Sequence, residues 1–222
     1  PIYMYMRLAI SLVREDASQD EVVQLFKTLS SRRASFATPV MFNCGCEKNP
    51  SLASCFLYAM TSDKDSVDGI FSSLHDCAKI SHMSGGIGIS FHDIRARGSP
   101  INGGSGAANG ILPVMQMFNT MAKTVDQGGG RRRGSIAVYL EPHHPDFIEF
   151  LEARQTYGSQ ELRTHDLFTA VWVSDLFMER VKNNEKWSFF CPELCPGLSE
   201  KWGDNYKNLY LDYEQKKMYT KQ

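Results

Sequence analysis

Short apolar segments alternate with amphipathic helical patterns through this chain, and this alternation restricts its fold more than any other feature. The segments Ser54–Met60 and Ile136–Leu140 are short, apolar and rich in residues that favour strands. Between them, apolar residues recur at the spacing of a helix face, which predicts a helix capped by Asp65 or Ser66. That apolar stripe consists of Val67, Ile70, Phe71, Leu74, Cys77 and Ala78. Strands separated by helices predict an α/β architecture.

The same pattern extends in both directions along the chain. Residues 3–14 are compatible with a helix, and the capping box Ser18-Gln-Asp-Glu21 predicts a second one. We expect Ser54–Met60 and the preceding segment Thr38–Gly45 to be buried strands. Further strands are predicted at Gly85–Phe91, Leu167–Val173 and Trp187–Phe190. Further helices are predicted at Ile111–Val125, Pro145–Leu151 and Ser174–Lys182, and a helix-like run closes the chain at Tyr213–Gln222.

The composition indicates a globular chain without an overall charge bias. Its 222 residues, 42% of them hydrophobic, suffice for one large domain or two small ones. Lysine and arginine total 24 against 25 acidic residues, which argues against a nucleic-acid coat or an acidic tail. Because no signal peptide or long apolar span is present, the six cysteines favour a reducing cytoplasm and no membrane. The chain opens on Pro1, and we expect it to be a fragment of something longer.

Two glycine-rich loops are candidates for ligand binding. The segment Asp126–Ser135 contains four glycines and three arginines, and Gly98–Gly110 contains five glycines in thirteen residues. Glycine lets the backbone approach a ligand closely, and arginine offers a fork of donors that suits phosphates and base edges. We therefore expect Asp126–Ser135 to contact nucleotides. A solvated basic turn is one alternative, and a nucleic-acid-binding module that uses Arg131, Arg132 and Arg133 is another.

The cysteines and histidines carry weaker signals. Cys77 lies on the apolar helical stripe and is expected in the core, and the adjacent His143 and His144 are expected to be structural because neighbouring side chains point apart. Cys55 begins a predicted strand, where a redox-active thiol could lie beside a substrate, but composition alone favours a buried structural thiol there. A redox or metal module is a further alternative, built on Cys44, Cys46, Cys191 and Cys195.

Taken together, the segments resemble the catalytic large subunit of class I ribonucleoside-diphosphate reductase. The matching motifs run in the family order over nearly the whole chain. They include Thr38-Pro-Val-Met-Phe-Asn-Cys-Gly, Ser54-Cys-Phe-Leu, Gly85-Gly-Ile-Gly-Ile, Ile94-Arg-Ala-Arg-Gly-Ser, Val125-Asp-Gln-Gly-Gly, Tyr139-Leu-Glu-Pro-His-His and Cys191-Pro-Glu-Leu-Cys-Pro-Gly-Leu. The resemblance implies a helical segment at 1–36 and, at 37–222, the first half of a ten-stranded α/β barrel.

The resemblance also implies a role for individual residues. Cys55 would be the first of two cysteines that reduce the ribose of a ribonucleoside diphosphate and become a disulfide. Substrate-binding groups would be Thr38, Ser54, Gly85, Gly86 and Arg132. A site for a deoxynucleoside triphosphate or ATP effector would use Asp65, Ser66, Val67, His82, Arg95, Asn102, Gly103, Asp126 and Gln127.

The same resemblance implies cofactors and partners. The effectors would bind with Mg²⁺, and thioredoxin or glutaredoxin would re-reduce the enzyme. A small subunit would supply the radical cofactor, so this chain itself would hold no metal and no tightly bound cofactor. The helices near 66–82 and 109–125 would form a homodimer, and no nucleic acid would be bound.

The chain also departs from the family pattern. His82 stands where a lysine often reaches the effector of the neighbouring subunit, and Arg133 replaces a proline. No segment resembles the Asn-x-Cys-x-Glu radical loop or the N-terminal ATP-binding cone. We therefore expect these 222 residues alone to be inactive.

Overall fold

A computed structural model describes residues 1–46, 50–101, 106–127, 132–159 and 163–222, and it confirms the α/β class. The helices are α1 (Ile2–Leu12), α2 (Gln19–Ser30), α3 (Thr38–Asn43), α4 (Val67–His82), α5 (Ile111–Thr124), α6 (Phe147–Glu152), α7 (Asp175–Asn183) and α8 (Gly203–Gln215). The strands are β1 (Cys55–Ala59), β2 (Gly86–Ser90), β3 (Asp126–Gln127), β4 (Arg132–Arg133), β5 (Ile136–Leu140) and β6 (Leu167–Val171). Within these ranges, no helix is long and apolar enough to cross a membrane.

The described residues contain one parallel sheet with the strand order β1-β2-β5-β6. Side chains of β2 and β5 that share one face, such as Ile89 and Val138, are completely buried. They pack in one apolar cluster with Met115 and Phe118 of α5. Since strand residues alternate between faces, this burial orients the whole sheet with one face against the helices.

The opposite face of the sheet is open, which corrects one expectation about β1. Leu57 is 91% exposed, and Cys55 and Ala59 on the same face are exposed as well. The strand itself is confirmed, but the prediction that it is buried is wrong, because this face of the described sheet is uncovered and β1 lies at the edge of the sheet. Apolar composition predicts a strand but does not show how many neighbours that strand has.

The segment Thr38–Gly45 is not a strand, so that prediction is wrong. Residues Thr38–Asn43 form α3, with Pro39 in the first turn, where its fixed φ and missing N–H are tolerated. Val40 and Met41 pack against α1 and α2 rather than against the sheet. This packing decides between the two conformations that a short apolar segment can adopt. The predicted division of the chain at residue 36 stays a prediction.

The C-terminal part of the chain also differs from expectation. Trp187–Phe190 does not form a strand, and its backbone pairing with the end of the chain is an isolated bridge from Phe189 to Lys221. The helix-like run predicted at 213–222 is wrong beyond Gln215, where α8 ends. α8 packs on α7 through an aromatic cluster in which Tyr210 is completely buried.

The glycine–arginine loop contains a short antiparallel pair that the sequence reading missed. Asp126 pairs with Arg133 and Gln127 with Arg132. Gly134 closes this hairpin against the helices, because a Cβ there would lie 2.7 Å from the Ser81 hydroxyl and 3.2 Å from the Ala122 carbonyl oxygen. The base of the loop is therefore tied to both α4 and α5.

Candidate functional site

A cavity of about 590 Å³ lies between the first turns of α4 and α5 and the segment that follows β2. Its walls are formed by Asp65, Ser66, Val67, Ile70, Phe71, Ile94, Arg95, Ile101, Ala108, Asn109, Gly110, Pro113, Val114 and Met117. It lies beyond the carboxyl ends of the strands, where open α/β sheets usually bind their ligands. Four residues predicted to bind one effector, Asp65, Ser66, Val67 and Arg95, are thus brought together.

The start of α4 is held in a defined position beside the cavity. The Ser66 hydroxyl accepts a hydrogen bond of 3.0 Å from the backbone N–H of Gly69, which confirms Ser66 as the N-cap. Gly69 is required here, since a Cβ would lie 2.5 Å from the backbone of Lys64. The turn before the helix therefore packs closely against it and places Asp65 at the cavity wall.

Arg95 and Asp65 form an ion pair across the cavity wall. The Arg95 Nε donates to Asp65 Oδ2 at 2.7 Å, and its Nη1 donates to the carbonyl oxygen of Pro100 at 2.8 Å. Glu193, which the sequence reading did not single out, lies 3.6 Å from the same Nη1. The hydrogen bond that Arg95 donates to Asp65 is the main cause that raises the pKa of Arg95. The guanidinium is therefore a permanent, oriented cation.

The rest of the cavity is mainly apolar. Ile70, Ile101, Val114 and Met117 line it, and Phe71 is 56% exposed. An oriented cation at one wall and apolar side chains at another suit a ligand with an anionic part and a flat apolar part. A nucleotide has this division between phosphates and base.

Cys55 is the first residue of β1, so it lies at the amino ends of the strands, whereas the cavity lies beyond their carboxyl ends. It pairs with Gly86, whose N–H donates to the Ser54 carbonyl oxygen at 2.8 Å. A Cβ on Gly86 would lie 3.6 Å from that oxygen and 3.9 Å from the Cys55 sulfur, so this glycine leaves space beside the thiol. Cys55 is exposed, unlike Cys77, whose burial raises its pKa to about 12. The Cys55 side chain is thus open to solvent in the part of the chain that the structure describes.

The other predicted site residues divide between several places. Gly85 has a packing reason to be glycine, because a Cβ would lie 2.7 Å from both Ile80 and the Phe56 ring. Thr38 is exposed in the first turn of α3. Asn102 and Gly103 lie outside the described residues. Gln127 and Arg132 lie in the hairpin, and only their backbone is described.

Two groups that would sense the effector lie far from the cavity of the same chain. His82 ends α4, sixteen positions after Ser66, which is about 24 Å along a helix. The hairpin residues Asp126 and Gln127 follow the far end of α5 in the same way. Within one chain, the structure brings neither group to the cavity.

Polar contacts that the sequence did not reveal link these places. Lys64, next to Asp65, donates to the Tyr58 hydroxyl at 2.5 Å, and this hydroxyl donates to Asp76 Oδ2 at 3.0 Å. Tyr58 belongs to β1, the strand that begins with Cys55. This contact therefore joins the cavity wall to the strand that carries the exposed thiol. Its members are ordinary residues without a motif, so no sequence signal could have identified them.

Cys191, Cys195 and His143 have structural environments. Cys191 and Cys195 are buried, and burial is the main cause that raises the pKa of Cys195 to about 11. His143 Nδ1 lies 2.9 Å from Glu141 Oε2 and 3.1 Å from the Tyr206 hydroxyl, inside the protein. Across the described residues, no group of three or more His, Cys, Asp and Glu side chains is arranged to hold a metal ion.

Comparison with known proteins shows that the sequence is similar to one family. The sequence model described as "Ribonucleotide reductase, barrel domain" matches residues 53–222. The chain is 49% identical over 215 residues to the ribonucleoside-diphosphate reductase large subunit of Arabidopsis thaliana, covering 97% of this chain and 26% of that protein. It is 46% identical to the large subunit of Plasmodium falciparum (isolate Dd2), with 98% and 26% covered, and 44% identical to that of Variola virus, with 99% and 28% covered. The chain thus spans about a quarter of the length of these curated relatives.

Proposed function

Because this chain belongs to the ribonucleotide reductase barrel family, we propose that it carries the effector-binding half of a ribonucleoside-diphosphate reductase large subunit. The observation that carries this proposal is the cavity that unites Asp65, Ser66, Val67 and Arg95. The resemblance assigned these four residues to one effector site although Arg95 is thirty positions from Asp65 in the sequence. The nucleic-acid alternative has no support in the relatives, which are all named as reductase subunits.

In this proposal the cavity binds a deoxynucleoside triphosphate or ATP with Mg²⁺. Arg95 interacts with the phosphates, since a guanidinium matches phosphate geometry, and its ion pair with Asp65 keeps it oriented before binding. The ribose hydroxyl donates to Asp65, and the apolar side chains of α4 and α5 contact the base. Asn102 and Gly103 of the glycine loop complete this site in the proposal.

The substrate, a ribonucleoside diphosphate, binds in this proposal near Cys55. Thr38, Ser54, Gly85 and Gly86 hold its diphosphate and ribose. Reduction of the ribose takes two electrons, which the Cys55 thiol supplies with a second cysteine thiol as the two become a disulfide and the ribose hydroxyl leaves as water. Thioredoxin or glutaredoxin then reduces that disulfide, and the small subunit supplies the radical that starts the reaction.

The 24 Å between the effector cavity and His82 supports a homodimer. When α4 and α5 of two copies pack around a twofold axis perpendicular to these helices, the helices run antiparallel, so the far helix ends of one copy approach the cavity of the other. His82, Asp126 and Gln127 would then contact the effector bound to the partner. Arg132 on the same hairpin would read the substrate base, which couples effector to substrate.

We expect Phe71→Glu in the full-length protein to weaken this dimer at least about tenfold. Phe71 is 56% exposed on α4, and burying the exposed half in two copies contributes about 2 kcal/mol. Sedimentation without nucleotide and with saturating dTTP would measure the change. Asp68→Glu, a neighbouring exposed position, is the matched control. An unchanged dimer in Phe71→Glu would contradict this interface.

The effector site is tested by the binding of dTTP with Mg²⁺ to the full-length protein. We expect Asp65→Ala to weaken binding about tenfold to a hundredfold, because the ribose loses its acceptor and Arg95 loses its charged partner. Asp68→Ala removes the same charge from the first turn of α4 but does not touch the cavity, and it should bind normally. Equal affinities for both variants and the wild type would disprove the proposed site.

A further inference from the structure

The connection from β5 to α6 makes unusual contacts behind the effector cavity. Both carboxylate oxygens of Asp146 accept from the backbone N–H of Arg97 at 3.1 Å, and Oδ2 also accepts from the N–H of Ile111 at 3.1 Å. Asp146 is 6% exposed and directly precedes α6, yet its side chain makes no capping bond to that helix. Its carboxylate caps the first residue of α5 instead.

His144 in the same connection completes the arrangement. Its Nδ1 accepts from the backbone N–H of Asp146 at 3.1 Å, so the proton lies on Nε2, which donates to the Ile94 carbonyl oxygen at 2.8 Å. His144 is completely buried, and burial is the main cause that lowers its pKa to about 4. The ring therefore stays neutral near pH 7 and keeps both hydrogen bonds.

These bonds reach both walls of the cavity. Ile94 and Arg97 flank Arg95 on one wall, and Ile111 begins α5, which forms the other. Gly110 shows how close the contact is, because its φ is +81° and a Cβ there would lie 2.4 Å from Asp146 Oδ2. A carboxylate is thus held between two backbone segments at the cavity. The same segments also bond each other further along, from the Gly98 N–H to the Ala108 carbonyl oxygen and from the Ala108 N–H to the Ser99 carbonyl oxygen, each at 2.8 Å.

We propose that His144 and Asp146 are positioning residues of the effector site, which set the distance between Arg95 and the N-terminus of α5. Neither side chain lines the cavity, so each acts through the backbone atoms that it binds. This inference rests on the proposed function, because it assumes that the cavity binds the effector. It differs from a purely stabilising role in that it predicts a specific effect on effector affinity.

The test uses the full-length protein with its small subunit and measures substrate reduction as a function of dTTP concentration. Asp146→Asn keeps the size of the side chain but turns one acceptor into an NH₂ group that faces a backbone N–H. We expect the half-saturating dTTP concentration to rise about tenfold. At saturating dTTP, kcat and the substrate KM should stay within about twofold of the wild type. Glu149→Gln is the matched control, because it removes only the surface ion pair with the Arg97 side chain.

If Asp146→Asn does not fold, two substitutions of His144 test whether these residues position the effector site. Glutamine can accept from Asp146 and donate to Ile94 with nearly the spacing of the two ring nitrogens, whereas leucine can do neither. His144→Leu should therefore raise the half-saturating dTTP concentration and His144→Gln should not. Equal effects of the two variants, or a loss of kcat without a shift in dTTP dependence, would overturn the inference. Unchanged dTTP binding in Asp65→Ala would instead contradict the proposed function, and this inference with it.

Discussion

Cys55→Ser in the full-length protein is expected to abolish multiple turnover and to leave effector binding intact. Serine keeps the size of the side chain but cannot form the disulfide whose formation supplies two electrons to the substrate in the proposed reaction. Cys55 is exposed and at the start of an edge strand, so its replacement removes no core packing. Steady-state reduction with small subunit and thiol reductant measures the first effect, and dTTP binding measures the second.

The matched control for this variant is Cys46→Ser. Cys46 is the other exposed cysteine, and the resemblance gives it no part in the reaction. This variant should turn over at the wild-type rate. A normal steady-state rate in Cys55→Ser would show that another thiol reduces the substrate, and the assignment of Cys55 would fail.

Arg180→Met is expected to loosen α8 strongly. The guanidinium donates to both carboxylate oxygens of Glu214, at 2.8 and 2.6 Å, and it lies 5.1 Å from the centre of the Tyr210 ring. The side chains of Arg180 and Glu214 are only 11% and 17% exposed, so losing the cation leaves a largely buried carboxylate without its charge partner. That costs about 3 kcal/mol, or roughly a hundredfold faster amide hydrogen exchange in α8.

A second ion pair between the same helices provides the control. Lys207 of α8 binds Glu179 of α7 at 2.6 Å, but these side chains are 39% and 54% exposed. Lys207→Met should leave amide exchange in α8 nearly unchanged, because exposed ion pairs contribute little. Exchange measured by mass spectrometry on peptides covering 203–215 compares the two variants. Similar protection in both would show that the aromatic cluster, and not Arg180, holds α8.

Local patterns in the sequence were sufficient for most of the elements of the sheet. The strands at 55–59, 86–90, 136–140 and 167–171 and the helices α4, α5 and α7 occur where they were predicted. Ser18, Ser66 and Ser174 each accept the expected capping hydrogen bond. Such signals depend on neighbours within a few residues, so they can be read without knowing the fold.

The predicted conformation or burial was wrong for segments whose structure depends on packing against distant parts of the chain. Thr38–Asn43 is apolar enough for a strand but forms a helix against α1 and α2, and Phe189 finds a single bridging partner at Lys221 instead of a sheet. β1 has the composition of a buried strand and lies at an exposed edge. In each case the outcome depends on which surface is nearby.

The candidate site likewise combines features that the sequence predicted with contacts that only the structure revealed. Its residue types were readable, because the motifs around Cys55, Asp65 and Arg95 resemble one family, and the family match over 53–222 confirms that membership. The roles of the individual residues stay predictions. The sequence contained no sign that Asp65 and Arg95 bind each other in the unliganded protein.

The sequence by itself therefore determined the strands of the main sheet, the helices α4, α5 and α7, the caps of the main helices and the family. Only the tertiary structure decided which side chains meet: Arg95 with Asp65, Arg180 with Glu214, and Asp146 with the backbone of Arg97 and Ile111. The physical reason is the distance along the sequence over which each kind of interaction acts. Helix periodicity and capping act over a few residues, whereas a buried carboxylate is satisfied by any donor that strand order and helix packing bring near, and in Asp146 that donor is 49 positions away.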